Sequence, residues 1–309
     1  MSEQTRGTVE MTVAMVILGT IGWLVVLSGQ PVLTLVFWRC VFGAAALLVV
    51  CAALGLLRGI LNRRVLLLSA VGGVAIVVNW LLLFASYSHA SIAVATAVYS
   101  TQPFILVGLG ALFLSERLTA TKLTWLGLAF VGVLLIVQAK PDVGYVGTDH
   151  LTGILMALGA AFFYALTALF TKKLTGTPPH LIALIQVCVG IGMLLPFADL
   201  TELPQDAGTW GTLAVLGVVY TGLMFTLQYG AIQKLPTHLT GSITFVYPVV
   251  AVVVDVVAFG HRLHPAQAAG AAAILIAAAG MNLGWSLGRR PCDPSREPSP
   301  LTTPAAKSH

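Results

Sequence analysis

Ten apolar runs, each closed by a short polar corner, limit what this chain can fold into. They fall at roughly 11–27, 31–54, 65–87, 91–114, 120–138, 151–171, 180–198, 209–231, 237–260 and 265–287. Most reach the ~20 residues that a helix needs to cross a ~30 Å hydrocarbon core at ~1.5 Å per residue. A barrel reading fails, because the runs lack apolar–polar alternation and a spanning segment must satisfy its own backbone groups. The composition agrees: 9% of residues are charged and 58% hydrophobic, where a soluble domain carries about 25% charge. The expectation is an all-α polytopic membrane protein with ten transmembrane helices in a lipid bilayer. Met11–Leu27 has the length of a signal peptide but no small-residue cleavage site, and a new apolar run begins at Pro31. It is read as a retained helix.

Lysine and arginine are unevenly placed. With the N-terminus in the cytoplasm, thirteen of the sixteen fall inside, Lys140 and Arg262 fall outside, and Arg39 lies within a helix. That asymmetry predicts both termini in the cytoplasm. The net charge of +5 then belongs to the inner corners. No aromatic–basic cluster suited to nucleic acid is present, so no nucleic-acid partner is expected. The four cysteines, Cys40, Cys51, Cys188 and Cys292, form no C-x-x-C pair. Neither a metal site nor a disulfide framework follows from them, and no cofactor is implied.

One stretch is used twice. Tyr99, Gln102, Pro103 and the corner Glu116-Arg117-Leu118-Thr119 return as Thr244, Tyr247, Pro248 and the corner His261-Arg262-Leu263-His264. The prolines and the Arg-Leu pairs are each separated by 145 residues, with no gap. A fixed period of this kind marks a repeat architecture. Five spans per copy carry the chain to the opposite side, so the second copy is inverted, an arrangement of secondary transporters. The predicted organisation is a cytoplasmic N-terminus at 1–10, repeats at 11–138 and 151–287, an outer linker at 139–150, and a disordered Pro/Ser-rich cytoplasmic tail at 288–309.

Pro103 and Pro248 each remove a donor from a spanning helix and crowd the carbonyl four residues back, on Tyr99 and Thr244. Two readings follow: a packing kink, or irregular backbone lining a wet cavity. Further polar residues sit mid-run at Asn79 and Trp80, Tyr164 and Thr167, Gln186, Tyr220, and Gln228 with Tyr229. Singly, each reads as an interhelical hydrogen bond. Together they make a polar interior. The candidate substrate-binding set is Asn79, Trp80, Tyr99, Gln102, Pro103, Tyr164, Gln228, Thr244, Tyr247 and Pro248. Arg39 and Asp255 fall ~12 Å and ~8 Å below the outer ends of their helices, at similar depth. They are the candidate gating or coupling pair, as a structural ion pair or an outer gate. Glu116-Arg117 reads as a solvated charge pair at a helix end. His261 and His264 lack a carboxylate partner for a metal. Ala269, Ala273 and Ala277 give the last helix a close-packing face, which leaves a homodimer open without implying one.

The pattern resembles the EamA-domain family of the drug/metabolite transporter (DMT) superfamily. The resemblance is carried by Pro103 and Pro248, the corner Glu116-Arg117-Leu118-Thr119, Arg39 early in the second helix, and two five-helix halves. It covers roughly Met11 to Leu287. It implies an inner-membrane carrier for a small-molecule solute, in many members an exporter of amino acids, related metabolites or drugs. The second corner departs from the family pattern, with His261 in place of the usual glutamate. A Walker motif is absent, so ATP is not the direct energy source; ion coupling and facilitated exchange both stay open. The competing classes are an intramembrane enzyme and a channel. H-E-x-x-H and G-x-S-x-G are missing, only Asp255 could serve as a membrane aspartate, and a channel would show a ring of pore-lining charge or carbonyls.

Overall fold

Every regular element among the described residues is helical, as the apolar runs require. The computed structural model describes residues 2–57, 62–89, 92–138, 150–198, 204, 206–259 and 264–285. The first five runs become α1 (Glu3–Gly19) with α2 (Ile21–Ser28), α3 (Val32–Ala53), α4 (Arg63–His89), α5 (Ile92–Tyr99) with α6 (Gln102–Leu114), and α7 (Ala120–Gln138). The next three become α8 (His150–Lys173), α9 (Pro179–Leu194), and α10 (Ala207–Gly217), which passes through a π-helical turn at Val218–Leu223 into α11 (Met224–Lys234). The last two are α12 (Thr237–Thr244) with α13 (Val246–Phe259), and α14 (Pro265–Leu283). Nine stretches among the described residues are long and apolar enough to cross a bilayer, while the fourth run is divided between α5 and the shorter apolar α6.

The first helix begins eight residues earlier than its apolar run, at Glu3. Ser2 caps it by accepting from the Thr5 N–H, and Glu3 complements the positive end of the helix. Arg6 and Glu10 are thus helical, and Glu10 pairs with Lys234 of α11. Asp206 caps α10; the Thr209 hydroxyl and N–H hold its carboxyl below the usual carboxylate range. His264 caps α14, accepting from Ala266 N–H while Gln267 accepts from the His264 N–H. That is a structural use of one of the two corner histidines. The outer linker 139–149, His261 with Arg262-Leu263, the tail from 286, and the Asp255 side chain lie outside the described residues.

The two halves pack against each other along most of their length. α4 lies on α8 and α9, α3 on α9 and α10, and α1 on α11, α12 and α13. α7 pairs with α14, and α6 with α12. Glycine permits the closest crossings. A Cβ on Gly217 would stand 2.3 Å from the Phe42 Cβ and 2.8 Å from the Gly43 nitrogen. A Cβ on Gly270 would stand 2.4 Å from the Gly132 carbonyl oxygen. The packed face of α14 runs through Gly270, Ile274, Ala277 and Gly280, so Ala269 faces outward. Glycine, absent from the Ala269/Ala273/Ala277 reading, sets the register. The outer surface is apolar, with Leu112 73% and Val257 78% exposed, as a lipid-facing surface requires.

Candidate functional site

Four backbone irregularities are grouped around one cavity. α5 ends at Tyr99 and α6 starts at Gln102, with Pro103 in its first turn. In between, the Ser100 N–H donates to the Thr96 carbonyl and the Thr101 N–H to the Val98 carbonyl, both at 3.0 Å. The expected kink is therefore a break. Proline sits where a helix has free donors in any case, so it costs no ladder bond there. The second copy breaks at Phe245, and Pro248 again lies in the first turn of the following helix. The first run breaks at Gly19–Thr20, where a Cβ on Gly19 would stand 2.8 Å from the Tyr247 carbonyl oxygen. The fourth irregularity is the π-turn at Val218–Leu223. The break in the first run is tied to the π-turn, since the Thr20 and Tyr220 hydroxyls share a bond.

The cavity has a volume of about 170 Å³. Asn79, Trp80, Tyr99, Gln102, Tyr164, Gln228, Thr244 and Tyr247 all line it, together with Arg39. Pro103 and Pro248 are buried but outside the lining. Pro103 instead packs on Gly241, whose added Cβ would stand 3.0 Å from the proline Cβ. The prolines shape the wall without forming it. Within the lining, Gln228 Nε2 donates to the Tyr164 hydroxyl at 2.6 Å, and the Thr244 hydroxyl donates to the Thr240 carbonyl at 2.9 Å. Asn79 Nδ2 donates to the Ala160 carbonyl at 2.7 Å and to the Tyr99 hydroxyl at 3.2 Å. The Tyr99 and Tyr164 rings meet edge to face at 6.4 Å. Gln102 is buried, and its Oε1 has no donor among the described residues.

Arg39 enters the cavity wall from α3. Its Nε donates to Thr221 Oγ1 at 2.7 Å and its Nη2 to the Tyr220 carbonyl at 3.0 Å. A π-turn disturbs the regular helical ladder and so offers carbonyls to outside donors; the guanidinium takes one of them. The guanidinium also lies over Trp80, 4.6 Å from the ring centroid, and 5.7 Å from that of Phe225. Trp80 and Phe225 themselves stack at 5.7 Å. Arg39 thus closes onto the π-turn and an aromatic stack. Phe225, Thr221 and Met224 were missed by sequence reasoning. Thr221 carried a signal, as a hydroxyl mid-run within reach of a buried cation; Phe225 and Met224 are apolar in an apolar run and carried none.

The corner at Glu116 also differs from a solvated charge pair. Ser115 adopts a left-handed conformation (φ 55°) at the end of α6 and turns Glu116 towards the other half. Glu116 accepts from the Thr237 N–H at 3.0 Å and from the Thr237 hydroxyl at 2.6 Å, at the first residue of α12. Lys172 of α8 stands 3.9 Å from the same carboxylate and donates to the Leu235 carbonyl. A carboxylate at a helix N-terminus satisfies orphan donors and meets the positive end of the helix dipole.

Comparisons with known proteins agree with this architecture. A crystal structure superposes with a TM-score of 0.78 over 90% of this chain and 97% of its own, at 19% identity, which bears on the fold alone. The uncharacterized transporter YxxF of Bacillus subtilis is 30% identical over 272 residues, covering 84% of each chain. The threonine/homoserine exporter RhtA of Escherichia coli K12 is 25% identical over 65% of this chain and 66% of its own. A probable amino-acid metabolite efflux pump of Salmonella typhimurium is 28% identical over 59% of this chain and 64% of its own. The EamA-like transporter family matches twice, over residues 6–138 and 151–283. Two matches covering nearly the whole chain make it a member of the EamA-like transporter family, within the drug/metabolite transporter superfamily, and so a membrane transporter rather than an enzyme.

Proposed function

We propose that this protein is a secondary carrier that exports a small metabolite by alternating access. Asn79, Trp80, Tyr99, Gln102, Tyr164, Gln228, Thr244 and Tyr247 form its binding site, and Pro103 and Pro248 shape it. The observation that carries this reading is the cavity itself. It draws polar side chains from both halves and lies beside broken helices, where a transporter site is expected. Its volume of about 170 Å³ falls below the ~300–1,000 Å³ of sites for drug-sized ligands, which favours a metabolite over a drug. The names of RhtA and of the Salmonella pump support a solute of amino-acid size.

The scaffold in this proposal is ten spans in two inverted five-helix repeats, in the inner (plasma) membrane with both termini cytoplasmic. The packing pairs support it. Numbering the runs one to ten, contacts of three with six, three with seven and four with six recur as eight with one, eight with two and nine with one. A shift of five maps the list onto itself, as a pseudo-twofold relation would. The test is saturable counterflow of a radiolabelled solute panel in inverted vesicles. Absence of counterflow for every solute would count against a carrier. Topology is read separately from a cysteine replacing Gly144 in a chain lacking its native cysteines. It should label with an impermeant thiol reagent from outside intact cells; labelling only after permeabilisation would overturn the inverted arrangement.

A further inference from the structure

The end of α6 sorts its charges. Past the left-handed Ser115, the Glu116 carboxylate is engaged by Thr237 and stands 3.9 Å from Lys172. Arg117, the next residue, is left exposed. Lys122, in the first turn of α7, donates from Nζ to the Arg117 carbonyl at 3.0 Å, which keeps the two residues together. Lys173 closes α8 and places its Nζ 5.2 Å from the centroid of the Phe113 ring, in the last turn of α6. An aromatic face under an ammonium holds it in place. None of Arg117, Lys122 and Lys173 joins an ion pair among the described residues. Three cations thus gather around the end of α6 while the neighbouring carboxylate serves the other half. Like charges so placed gain from an anion shared between them.

Apolar surface adjoins the cations. On α6, Phe113 is 52% and Leu112 73% exposed. Gly108 lies one turn deeper on the face of Leu112, and a Cβ there would meet nothing within 4 Å. That leaves an open track along α6, wide enough for a hydrocarbon chain, with the cations at its head. A cationic head over an apolar track fits an amphiphile; a soluble anion would use the first and leave the second bare. The other copy lacks the arrangement. At the 145-residue spacing, Gln267 stands in place of Lys122 and Ser28 in place of Lys173. The cluster therefore belongs to one face of the membrane. In the proposed topology that face is cytoplasmic, where the leaflet carries anionic lipid.

We propose that Arg117, Lys122, Lys173 and Phe113 form a binding site for an anionic phospholipid, whose phosphate is shared by the cations and whose acyl chain runs over Leu112 and Gly108. This goes beyond the carrier reading and stands without it, since lipid binding needs no transport.

The experiment uses the full chain in a neutral detergent, titrated with phosphatidylglycerol or with phosphatidylcholine of matched chains. Bound lipid is counted by native mass spectrometry, and thermal shift in nanodiscs of either lipid gives a second reading. Phosphatidylglycerol should bind about tenfold or more tightly, at about fivefold for each cation beside an anionic headgroup. Combining Arg117→Gln with Lys173→Gln should remove most of that preference. Combining Arg63→Gln with Arg64→Gln neutralises two exposed arginines at the start of α4 and should leave the preference intact. Equal loss in the two double variants would reveal a general attraction of lipid to basic helix ends and overturns the site. Equal binding of the two lipids overturns it as well. Glycerol phosphate in large excess should not displace the lipid; full displacement would make the corner a site for a soluble anion, against the proposal. Should the Arg117/Lys173 double variant not fold, the single variants decide: about a fivefold loss is expected from each, and no loss from either overturns the site.

Discussion

Two buried amides in the cavity wall differ in what they already hold, and under the proposed function that difference separates scaffold from site. Asn79 is spent on the protein: it joins α4 to the Ala160 carbonyl of α8 and to Tyr99. Gln102 presents an acceptor that no described residue uses. Asn79→Leu keeps the volume and strips two acceptors of their donor. It should lower stability by ~1 kcal/mol, the usual scale for a buried or interhelical hydrogen bond. Gln102→Leu loses no protein bond at Oε1, so its unfolding midpoint should stay close to wild type while apparent solute affinity falls. Thermal unfolding in detergent and counterflow on the same preparations give both numbers. A Gln102→Leu protein as destabilised as Asn79→Leu would show that Gln102 is structural.

At the scale of elements, the broken helices are legible in the sequence only where proline announces them. Pro103 and Pro248 located two of the four irregularities, and their matched spacing located the repeat. Gly19–Thr20 and the π-turn gave no such sign. Val218–Leu223 carries Tyr220 and Thr221 mid-run but no proline, and the Arg39 guanidinium that bonds it is about 180 residues away in sequence. Eight of the ten candidate binding residues line the cavity because polar groups in an apolar run have few other places to go. The apolar part of the wall was unreadable, since an aromatic facing a cavity and one facing lipid look alike in sequence. The helix crossings turn on glycine in the same way. Gly217→Ala would drive a Cβ to 2.3 Å from that of Phe42 and should destabilise by ~1–3 kcal/mol, as overpacking does. Gly108→Ala meets nothing within 4 Å and should be neutral or slightly stabilising, by up to ~1 kcal/mol of helix propensity. Equal unfolding midpoints for the pair would mean that α3 and α10 can separate at no cost.

Across the whole molecule, the ion pairs between the halves, among the described residues, gather at one end. Glu10 of α1 pairs with Lys234 of α11 at 2.5 Å. Glu116 caps α12 through Thr237, and Lys172 of α8 reaches both Glu116 and the Leu235 carbonyl. In the proposed topology these corners face the cytoplasm, and the conformation is then one fastened on the cytoplasmic side. The corresponding corner of the second copy carries His261 where the first has Glu116, so the sequence offers no matching carboxylate at the outer end. A carrier that alternates access has to release these ties each time it opens inward. Glu116→Gln keeps the shape and an acceptor for one Thr237 donor but removes the charge. Losing the charge from partly buried hydrogen bonds costs ~1–2 kcal/mol, which shifts a two-state ratio by about 5–30-fold towards the inward-open form. Thr240 reports that shift. It lies one turn into α12 and is 1% exposed, so a cysteine there is shielded while the corner is fastened. In inverted vesicles, a cysteine at position 240 should react with an impermeant thiol reagent about 5–30-fold faster when Glu116→Gln is added. An unchanged rate, with the protein still monodisperse and active in counterflow, would mean that the Glu116 corner stitches the halves together without gating them.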